Sequence, residues 1–396
     1  MKLGVIGYGL RARTFIENNL LKPEPGLRIE ALADPRAGEY AGEFRRLKQD
    51  PACYHDVDAM LAAGHDFDGL LIGTRCDLHT PLAVKVLPLK IPLFLEKPVS
   101  INEAQLTELE AAAGAHPSAA VTVSFPLRLS PFVQRARDIV QAGELGTLIQ
   151  VQSLNNVPYG AVYSQSWYRD TSITGGMFLQ KATHDFDYIS HILGEHPVRL
   201  VARSVRGRYY GGTKTAGLQC RDCREWRTCP ESPYWKVFKL NEDAGIMDKD
   251  SACAFGEDLH GGPVPGNEDA SSVIFETASG IQGLYAQNFV ARRDAAERGC
   301  RIIGSKGTVR FDWYRGVFEH IRHHGNRTEV WNHPRDAHGG GDIELGADFL
   351  SSMRGQPTNR SPLQAGITSA RVCLACVRSS RQDPFVATNL HSQSER

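Results

Sequence analysis

The chain has 396 residues, of which 41% are hydrophobic and 23% charged, and its 45 basic residues balance its 45 acidic ones. This composition is ordinary for a globular protein with a buried core, and the length favours two domains. The balanced charge gives no reason to expect a nucleic acid or an anionic membrane as a partner. No apolar run has membrane-spanning length and the N-terminus lacks signal-peptide features, so we expect a cytoplasmic protein.

Short apolar runs alternate with helix-like segments over the first third of the chain. We predict helices between these runs, for example at 82–87 and 104–113. The predicted strands are 3–7, 28–34, 67–74, 91–96 and 119–125. Strands that alternate with helices are typical of a parallel, doubly wound sheet. The fold class is therefore α/β, with a first domain at 1–122.

The pattern changes in the remainder of the chain, which we assign to a second domain at 123–396. Strand-like stretches without regular intervening helices indicate a largely antiparallel sheet. These predicted strands are 147–153, 198–205, 271–276, 281–288 and 300–312, and the predicted helices are 131–142, 177–193, 343–353 and 366–380. The irregular segment 209–266 is predicted to be an insertion. Together the two domains predict a Rossmann-like unit followed by an α/β domain with an open sheet.

A glycine-containing turn follows the first predicted strand. Gly7, Gly9 and Ala12 fit the pattern G-x-G-x-x-A. The first glycine permits a tight turn, and the second lets the backbone approach a pyrophosphate. Leu10 and Arg11 open the following helix, whose first N–H groups and partial positive charge favour phosphate. Because strand and helix flank the glycines, we predict a dinucleotide site rather than a plain turn.

Asp34 ends the second predicted strand, at the offset expected for an acid that binds the ribose hydroxyls. A carboxylate repels a 2′-phosphate, so Asp34 favours NAD over NADP. Arg36 lies two residues further on and is able to pair with such a phosphate, which leaves NADP as the alternative.

Several ordered motifs resemble the glucose–fructose oxidoreductase/inositol dehydrogenase family (Gfo/Idh/MocA). The resemblance covers nearly the whole chain. The matching segments are Glu96-Lys97-Pro98, Thr74 to His79, Phe125 to Pro131 with Arg128, the turn at 143–146, Trp167, Gly175-Gly176, His184 to Asp187, the turn at 304–307 and His338 to Asp342. In the second of these, Arg75 and Cys76 replace the Pro and Asn of the family's T-P-N-x-x-H.

The resemblance implies a Rossmann domain, a second domain whose open sheet mediates oligomers, and a substrate between that sheet and the nicotinamide. It also implies a sugar, cyclitol or glycoside as substrate, and we expect a homodimer or homotetramer. Besides the glycine turn, the residues it assigns to the cofactor site are Thr74, His79, Glu96, Lys97 and Pro98.

The resemblance assigns catalysis to Lys97, at a strand end, and to His184, on a predicted helix. Spacings of three and four place Gln180, His184 and Asp187 near one helix face, with Lys181 beside it. Family members often carry Asp where this chain has Gln180, so the usual Lys–Asp–His arrangement is in doubt. We predict that Lys181 adds a second cation near the reacting oxygen, against the alternative that it faces solvent or pairs with a neighbouring Asp.

A further group of side chains is able to contact a carbohydrate. Aromatic faces stack on sugar C–H groups, and Arg or amide groups bind hydroxyls; for each residue alone, core packing or a surface pair is an equal alternative. The predicted substrate contacts are Arg128, Trp167, Tyr168, Arg169, Gln180, Asp187 and His338.

Four cysteines are bunched in the predicted insertion: Cys220, Cys223, Cys229 and Cys253. Four thiolates suffice for a tetrahedral structural zinc, and His260 is an alternative ligand. An iron–sulfur cluster and four free thiols are the competing interpretations. We predict zinc.

These observations predict an NAD-dependent oxidoreductase that acts on a secondary alcohol of a sugar, cyclitol or glycoside. A second hypothesis is a glycosidase that uses transient oxidation by bound NAD to activate elimination. A third is a non-catalytic sensor of a dinucleotide or sugar, which the presence of Lys97 and His184 disfavours.

Overall fold

The computed structural model describes residues 1–232, 252–257, 266–325, 327–333, 338–358 and 360–382. Two sheets organise these residues, one of six strands and one of eight. No helix in these ranges is both long and apolar enough to cross a membrane.

The first sheet is parallel throughout and has the strand order β3-β2-β1-β4-β5-β6. Its strands are β1 Lys2–Ile6, β2 Arg28–Ala33, β3 Ala52–Tyr54, β4 Gly69–Ile72, β5 Leu93–Leu95 and β6 Val121–Val123. The intervening helices are α1 Leu10–Phe15, α2 Ala41–Leu47, α3 Val57–Ala62, α4 His79–Val86 and α5 Glu103–Ala115. The predicted doubly wound sheet is confirmed, and β3 is a sixth strand that the apolar pattern did not reveal.

The second sheet has the order β14-β13-β12-β11-β7-β10-β9-β8, and only β7 and β10 pair in parallel. Its strands are β7 Leu148–Asn156, β8 Pro197–Val205, β9 Ala270–Thr277, β10 Gln282–Asn288, β11 Glu297–Gly304, β12 Gly307–Asp312, β13 Val317–Arg322 and β14 Thr328–Asn332. The mostly antiparallel sheet is confirmed. The prediction of one strand at 300–312 is wrong, because this segment forms the hairpin of β11 and β12. The sequence pattern did not predict β13 and β14.

Helices cover one face of this sheet and connect it to the first domain. They are α6 Pro131–Gln141, α7 Val162–Gln165, α8 Thr171–Thr174, α9 Thr183–Leu193, α10 Gly341–Met353 and α11 Leu363–Ser380. Phe349 of α10 packs edge-on against Phe94 of β5, with ring centroids 5.5 Å apart. The chain therefore returns to the first domain after its second sheet, and this return positions His338 and Asp342 at the cleft between the domains.

The predicted insertion has described residues only at 209–232, 252–257 and 266, and His260 lies outside them. The described residues are attached to the second domain by backbone and side-chain hydrogen bonds. Ala252 donates its N–H to the carbonyl of Gln165 at 2.7 Å.

Candidate active site

The glycine turn has the geometry that a dinucleotide requires. Gly7 has a φ of +81°, and a Cβ at this position would lie 2.6 Å from Cγ2 of Thr74. Gly9 is exposed at the start of α1, and a Cβ there would meet only the carbonyl oxygen of Gly73, at 3.7 Å. Leu10 is exposed beside it. The start of α1 is therefore exposed and leaves room for a phosphate beside Gly9.

Asp34 follows β2 and is held by two backbone N–H groups. Its carboxylate accepts from Tyr8 N and from Arg36 N, each at 2.8 Å. An ionised carboxylate has further lone pairs, which remain for ribose hydroxyls. The guanidinium of Arg36 is exposed and pairs with Glu39 at 2.9 Å, so it is partly neutralised where it stands.

The side chain of Arg11 bridges the two domains rather than facing the glycine turn. It forms two hydrogen bonds to Asp342, at 2.5 and 3.1 Å, and its Nε lies 3.3 Å from Glu96. Burial lowers the pKa of Arg11, but Glu96 and Asp342 raise it above its usual value. We predict Arg11 and Glu96 at the cofactor; in this structure their side chains pair with each other, and Arg11 also pairs with Asp342, which leaves the backbone N–H of Arg11 as a phosphate donor.

His79 ties together the two loops that follow β4 and β5. Its Nδ1 lies 2.8 Å from the carbonyl oxygen of Pro98, and its Nε2 lies 3.2 Å from that of Thr74. Burial lowers its pKa, and a neutral ring donates to one of these carbonyls at a time. The peptide bond between Lys97 and Pro98 is cis. His79, which we predict to bind the cofactor, is buried, and its ring holds these two loops together.

Lys97 lies just beyond β5, at the carboxyl edge of the parallel sheet, where ligands bind in doubly wound folds. Its Nζ donates to the carbonyl oxygen of Gln180 at 2.8 Å. Burial, together with the nearby cations Lys181 and Arg11, lowers the pKa of Lys97 to about 8, against opposing effects of Cys76 and Glu96. A lysine of this kind exchanges a proton close to neutral pH.

The helix predicted at 177–193 begins as a π-helical turn, Phe178–Ala182, and becomes α-helical only from Thr183. The predicted face of Gln180, His184 and Asp187 therefore spans two helix types: Gln180 lies in the π-helical turn, whereas His184 and Asp187 lie in α9. The side-chain oxygen of Gln180 accepts from Sγ of Cys76 at 3.3 Å. π-Helical turns of this kind occur frequently at functional sites.

Lys181 is buried, with 6% of the residue exposed, and its Nζ donates to the hydroxyl of Tyr159 at 2.8 Å. The neighbouring carboxylates are engaged elsewhere: Asp185 pairs with Arg298 at 2.9 Å, and Asp187 pairs with Arg128. The alternative in which Lys181 faces solvent or pairs with one of these aspartates is therefore wrong.

His184 and His338 face each other across the cleft, with ring centroids 6.2 Å apart. Burial holds the pKa of His184 well below its usual value, and the cations Lys97 and Arg298 lower it further. Its Nδ1 is buried without a hydrogen-bond partner among the described residues. The Nδ1 of His338 lies 2.7 Å from Asp342. His184 is therefore a neutral imidazole with an unused nitrogen.

Three predicted substrate contacts are used inside the protein. Arg128 and Asp187 form a buried bidentate pair, at 2.6 and 3.1 Å. The guanidinium of Arg169 is buried and donates to the carbonyl oxygens of Cys253 and Glu257, which anchors the insertion. In this structure the three side chains are thus bonded within the protein rather than exposed to a ligand.

Trp167 and Tyr168 stack on each other, with ring centroids 3.9 Å apart, and the guanidinium carbon of Arg75 lies 4.1 Å from the Trp167 ring centre. Arg75, which stands where the family has a proline, thus packs its guanidinium on the face of Trp167. Both rings are partly exposed and remain candidates for stacking on a sugar.

The sequence analysis did not identify Tyr159 or Arg298. The fold brings Tyr159 into contact with Lys181, and Arg298 into contact with Asp185. Tyr159 lies in the turn after β7, and Arg298 is in β11. No local motif contains either residue. Only the pairing of β7 with β11 brings these two segments together.

The four clustered cysteines line one small cavity, in which the volume open to the centre of a water molecule is about 10 Å³. Burial and, to a smaller extent, the other three thiols raise the pKa of Cys220 to about 12. As the side chains stand, no group of three or more His, Cys, Asp or Glu residues in the described ranges is arranged to hold a metal ion. The predicted zinc site is therefore not formed in this arrangement.

Comparison with known proteins supports the family resemblance. The inositol 2-dehydrogenase of Corynebacterium glutamicum (strain R) is 26% identical over 202 residues, which cover 50% of this chain and 56% of that protein. The inositol 2-dehydrogenase of Rhizobium meliloti (strain 1021) is 24% identical over 279 residues, which cover 70% of this chain and 64% of that protein. The chain thus spans about half to two-thirds of the length of the curated relatives it matches.

A levoglucosan dehydrogenase in complex with NADH and levoglucosan has a similar fold, with a TM-score of 0.72 at 16% identity over 96% of this chain and 97% of that chain. The family model for the NAD-binding Rossmann fold of the Gfo/Idh/MocA oxidoreductases matches residues 1–125. The model for their C-terminal alpha/beta domain matches residues 137–388. The chain therefore belongs to the Gfo/Idh/MocA oxidoreductase family.

Proposed function

We propose that this enzyme transfers a hydride between NAD(H) and a secondary alcohol of a sugar, cyclitol or glycoside. The observation that carries the proposal is the position of Lys97. It lies two residues beyond the end of β5, and its ammonium reaches the π-helical turn that also presents Lys181. The inositol dehydrogenases among the relatives support a polyhydroxy substrate.

The residues present fit the cofactor. The turn at Gly7 and Gly9 leaves room for a pyrophosphate, and Asp34 retains acceptor sites for ribose hydroxyls. When bound, the nicotinamide supplies the hydride acceptor or donor. Because the carboxyl group of Asp34 stands at the ribose position and Arg36 pairs with Glu39, we propose NAD as the preferred dinucleotide.

The chain's own residues act on the substrate oxygen. Lys97 carries most of its positive charge at neutral pH, since its pKa is about 8, and it is therefore able to stabilise a developing alkoxide. The neutral His184 offers an unpaired ring nitrogen to a substrate hydroxyl. Trp167 and Tyr168 offer aromatic faces to sugar C–H groups.

A screen of sugars, cyclitols and glycosides tests this proposal by following NADH absorbance. We expect net NAD reduction with at least one polyol, and a fall in turnover of about 1,000-fold in the variants Lys97→Met and His184→Ala, with NAD affinity retained. Product formation without net NADH would instead favour a glycosidase with transient oxidation. NAD binding without turnover of any carbohydrate would favour a sensor.

We also propose that the enzyme is a homo-oligomer that associates through the open face of its second sheet. Val201, Ile274 and Leu284 are exposed on three adjacent strands and lie in register. Exposed apolar patches on sheets are typical of protein interfaces. Substitution Ile274→Lys should convert the oligomer to monomers in light scattering, whereas a monomeric wild-type enzyme would contradict the proposal.

We further propose a structural zinc on the cysteines of the insertion. Support comes from the cavity that Cys220, Cys223, Cys229 and Cys253 share. Zinc binding would require the thiols to turn towards a common centre and lose their protons, which the metal itself promotes.

A further inference from the structure

The ammonium of Lys181 and the hydroxyl of Tyr159 form a hydrogen-bonded pair near Lys97. Lys181 is 6% exposed, whereas Tyr159 is 46% exposed, so the phenol is more open to an incoming molecule than the ammonium is. The Nζ of Lys181 lies 2.8 Å from the phenolic oxygen and 4.9 Å from the centre of the same ring. Lys181 forms no ion pair with a carboxylate among the described residues.

A buried cation without a carboxylate favours a negative partner, because the charge is otherwise uncompensated. The one hydrogen-bond partner of Lys181 in the described ranges is the hydroxyl of Tyr159, a phenol that becomes negative by losing its proton; the ring centre of Tyr163 lies 5.7 Å from the ammonium. A second cation, Arg298, also acts on Tyr159. The titratable or charged side chains that act on Tyr159 are Lys181, Arg298, Tyr163, Tyr168 and Tyr314.

These neighbours change the acidity of Tyr159. Burial raises its pKa, but Lys181 and Arg298 outweigh burial and bring the pKa down to about 8. Burial instead raises the pKa of the adjacent Tyr163 well above its usual value. The two tyrosines differ because Lys181 donates a hydrogen bond to the hydroxyl of Tyr159, whereas it faces only the ring of Tyr163. A hydrogen bond with Tyr314 also lowers the pKa of Tyr159.

We propose that Tyr159, activated by Lys181, is the residue that exchanges a proton with the substrate hydroxyl. This inference rests on the proposed alcohol oxidation and adds to it the identity of the acid–base group. It gives Lys181 a positioning role through Tyr159. His184, a weak base in its neutral form, then orients the substrate.

In the oxidation direction, the substrate O–H bond breaks and its proton passes to the phenolate of Tyr159. The C–H bond on the same carbon breaks, and its hydride passes with two electrons to the oxidised nicotinamide. A C=O bond forms in the product, and the phenol returns its proton to water through Lys181 or directly. In the reverse direction, the phenol donates the proton to the carbonyl oxygen.

The first experiment needs no substrate. The ultraviolet absorbance of tyrosinate is titrated in the free protein and in the variants Tyr159→Phe, Tyr163→Phe and Lys181→Met. We expect one tyrosine to ionise near pH 8 in the wild type and in Tyr163→Phe. This step should be absent in Tyr159→Phe and move upward in Lys181→Met. Absence of the step from wild type, or its persistence in Tyr159→Phe, would overturn the proposal.

The second experiment measures kcat and KM against pH with a polyol that the screen identifies. Tyr159→Phe should lose about 10²- to 10⁴-fold in kcat with KM little changed, and Tyr163→Phe should resemble the wild type. Lys181→Met should move the lower limb of the profile to higher pH, and Lys181→Arg should restore it. Full activity of Tyr159→Phe would overturn this inference while leaving the alcohol oxidation intact. A wild type inactive on all polyols would instead overturn the proposed function.

Discussion

Arg11 of the glycine turn's helix forms a bidentate ion pair with Asp342 of α10. This contact joins the dinucleotide-binding edge of the first domain to the segment that carries His338, since His338 also bonds to Asp342. Glu96, the residue before Lys97, completes the network from the other side. The two domains thus share one set of charges next to the predicted catalytic lysine.

Asp342→Asn should destabilise the enzyme, because it removes the negative partner of a partly buried guanidinium. The expected loss is about 2 kcal/mol, between the roughly 0–1 kcal/mol of exposed pairs and the 3–5 kcal/mol of fully buried ones. Urea unfolding at neutral pH measures this loss in the free energy of unfolding. The exposed Glu344 on the same helix provides the control Glu344→Gln, for which we expect little change.

The ion pair between Arg11 and Asp342 also predicts how the stability of the fold depends on pH. Although burial opposes it, His338 and Arg11 hold the pKa of Asp342 below its usual value of 3.8. A lowered carboxyl pKa contributes stability above the unfolded value, and this contribution is lost as pH falls through the folded value. The stability difference between wild type and Asp342→Asn should therefore shrink below about pH 4. A constant difference at acidic pH would contradict the prediction.

NAD should bind at least about tenfold more tightly than NADP, which corresponds to roughly 1.4 kcal/mol. The reason is repulsion between Asp34 and a 2′-phosphate, with Arg36 partly neutralised by Glu39. Fluorescence titrations that give the dissociation constants of NAD and NADP test this preference. Asp34→Ser should reduce the preference, whereas Arg36→Ala should change it little. A preference for NADP that Arg36→Ala abolishes would show that Arg36 binds the phosphate.

The cofactor-binding half of the fold was predictable because its signals are local. Gly7, Gly9 and Asp34 lie in short motifs at strand ends, and parallel strands in buried sheets are continuous apolar runs. β3 was missed because its three residues are too few for a pattern and two of them are only partly buried. The hairpin of β11 and β12 was read as one strand because its turn contains only two residues between the strands.

The substrate side was less predictable because its contacts are distant in sequence. Arg128 and Asp187 match family motifs but are 59 residues apart, and only the tertiary structure shows that they satisfy each other. The π-helical turn before His184 has no sequence signature that a 3.6-residue periodicity would reveal. Tyr159 became a candidate only when its distance to Lys181 was known.

Zinc supplied during expression should be retained at about one ion per chain in elemental analysis of the untagged enzyme. The thiols of Cys220, Cys223, Cys229 and Cys253 share a cavity, and a tetrahedral zinc has four ligands. Cys220→Ser should lose the metal and lower the melting temperature. Cys53→Ser is the matched control, since Cys53 is an exposed thiol of the first domain. Metal-free wild-type enzyme would contradict the prediction and leave four free thiols.

Lys97→Met should abolish most turnover and, at the same time, stabilise the fold at neutral pH. The folded protein holds the pKa of Lys97 at about 8, below its usual 10.5, mainly by burial. At a pH below 8, Lys97 is charged in both the folded and the unfolded protein. The whole free-energy cost of burying its charge then destabilises the folded state. Replacement by Met removes this cost, and we expect a gain of about 1–3 kcal/mol after allowing for the lost hydrogen bond to Gln180.

The pH dependence of this gain separates it from ordinary improved packing. Between pH 8 and 10.5 the unfolded chain binds more protons at Lys97 than the folded chain does, so the stability of the wild type rises relative to the Met variant. Above 10.5 the lysine is neutral in both states and the electrostatic part of the gain disappears. Urea unfolding across this range tests the prediction, with Lys85→Met as the control because Lys85 is exposed and pairs with Asp58. A gain that persists unchanged above pH 10.5 would show that packing rather than charge burial distinguishes the two side chains.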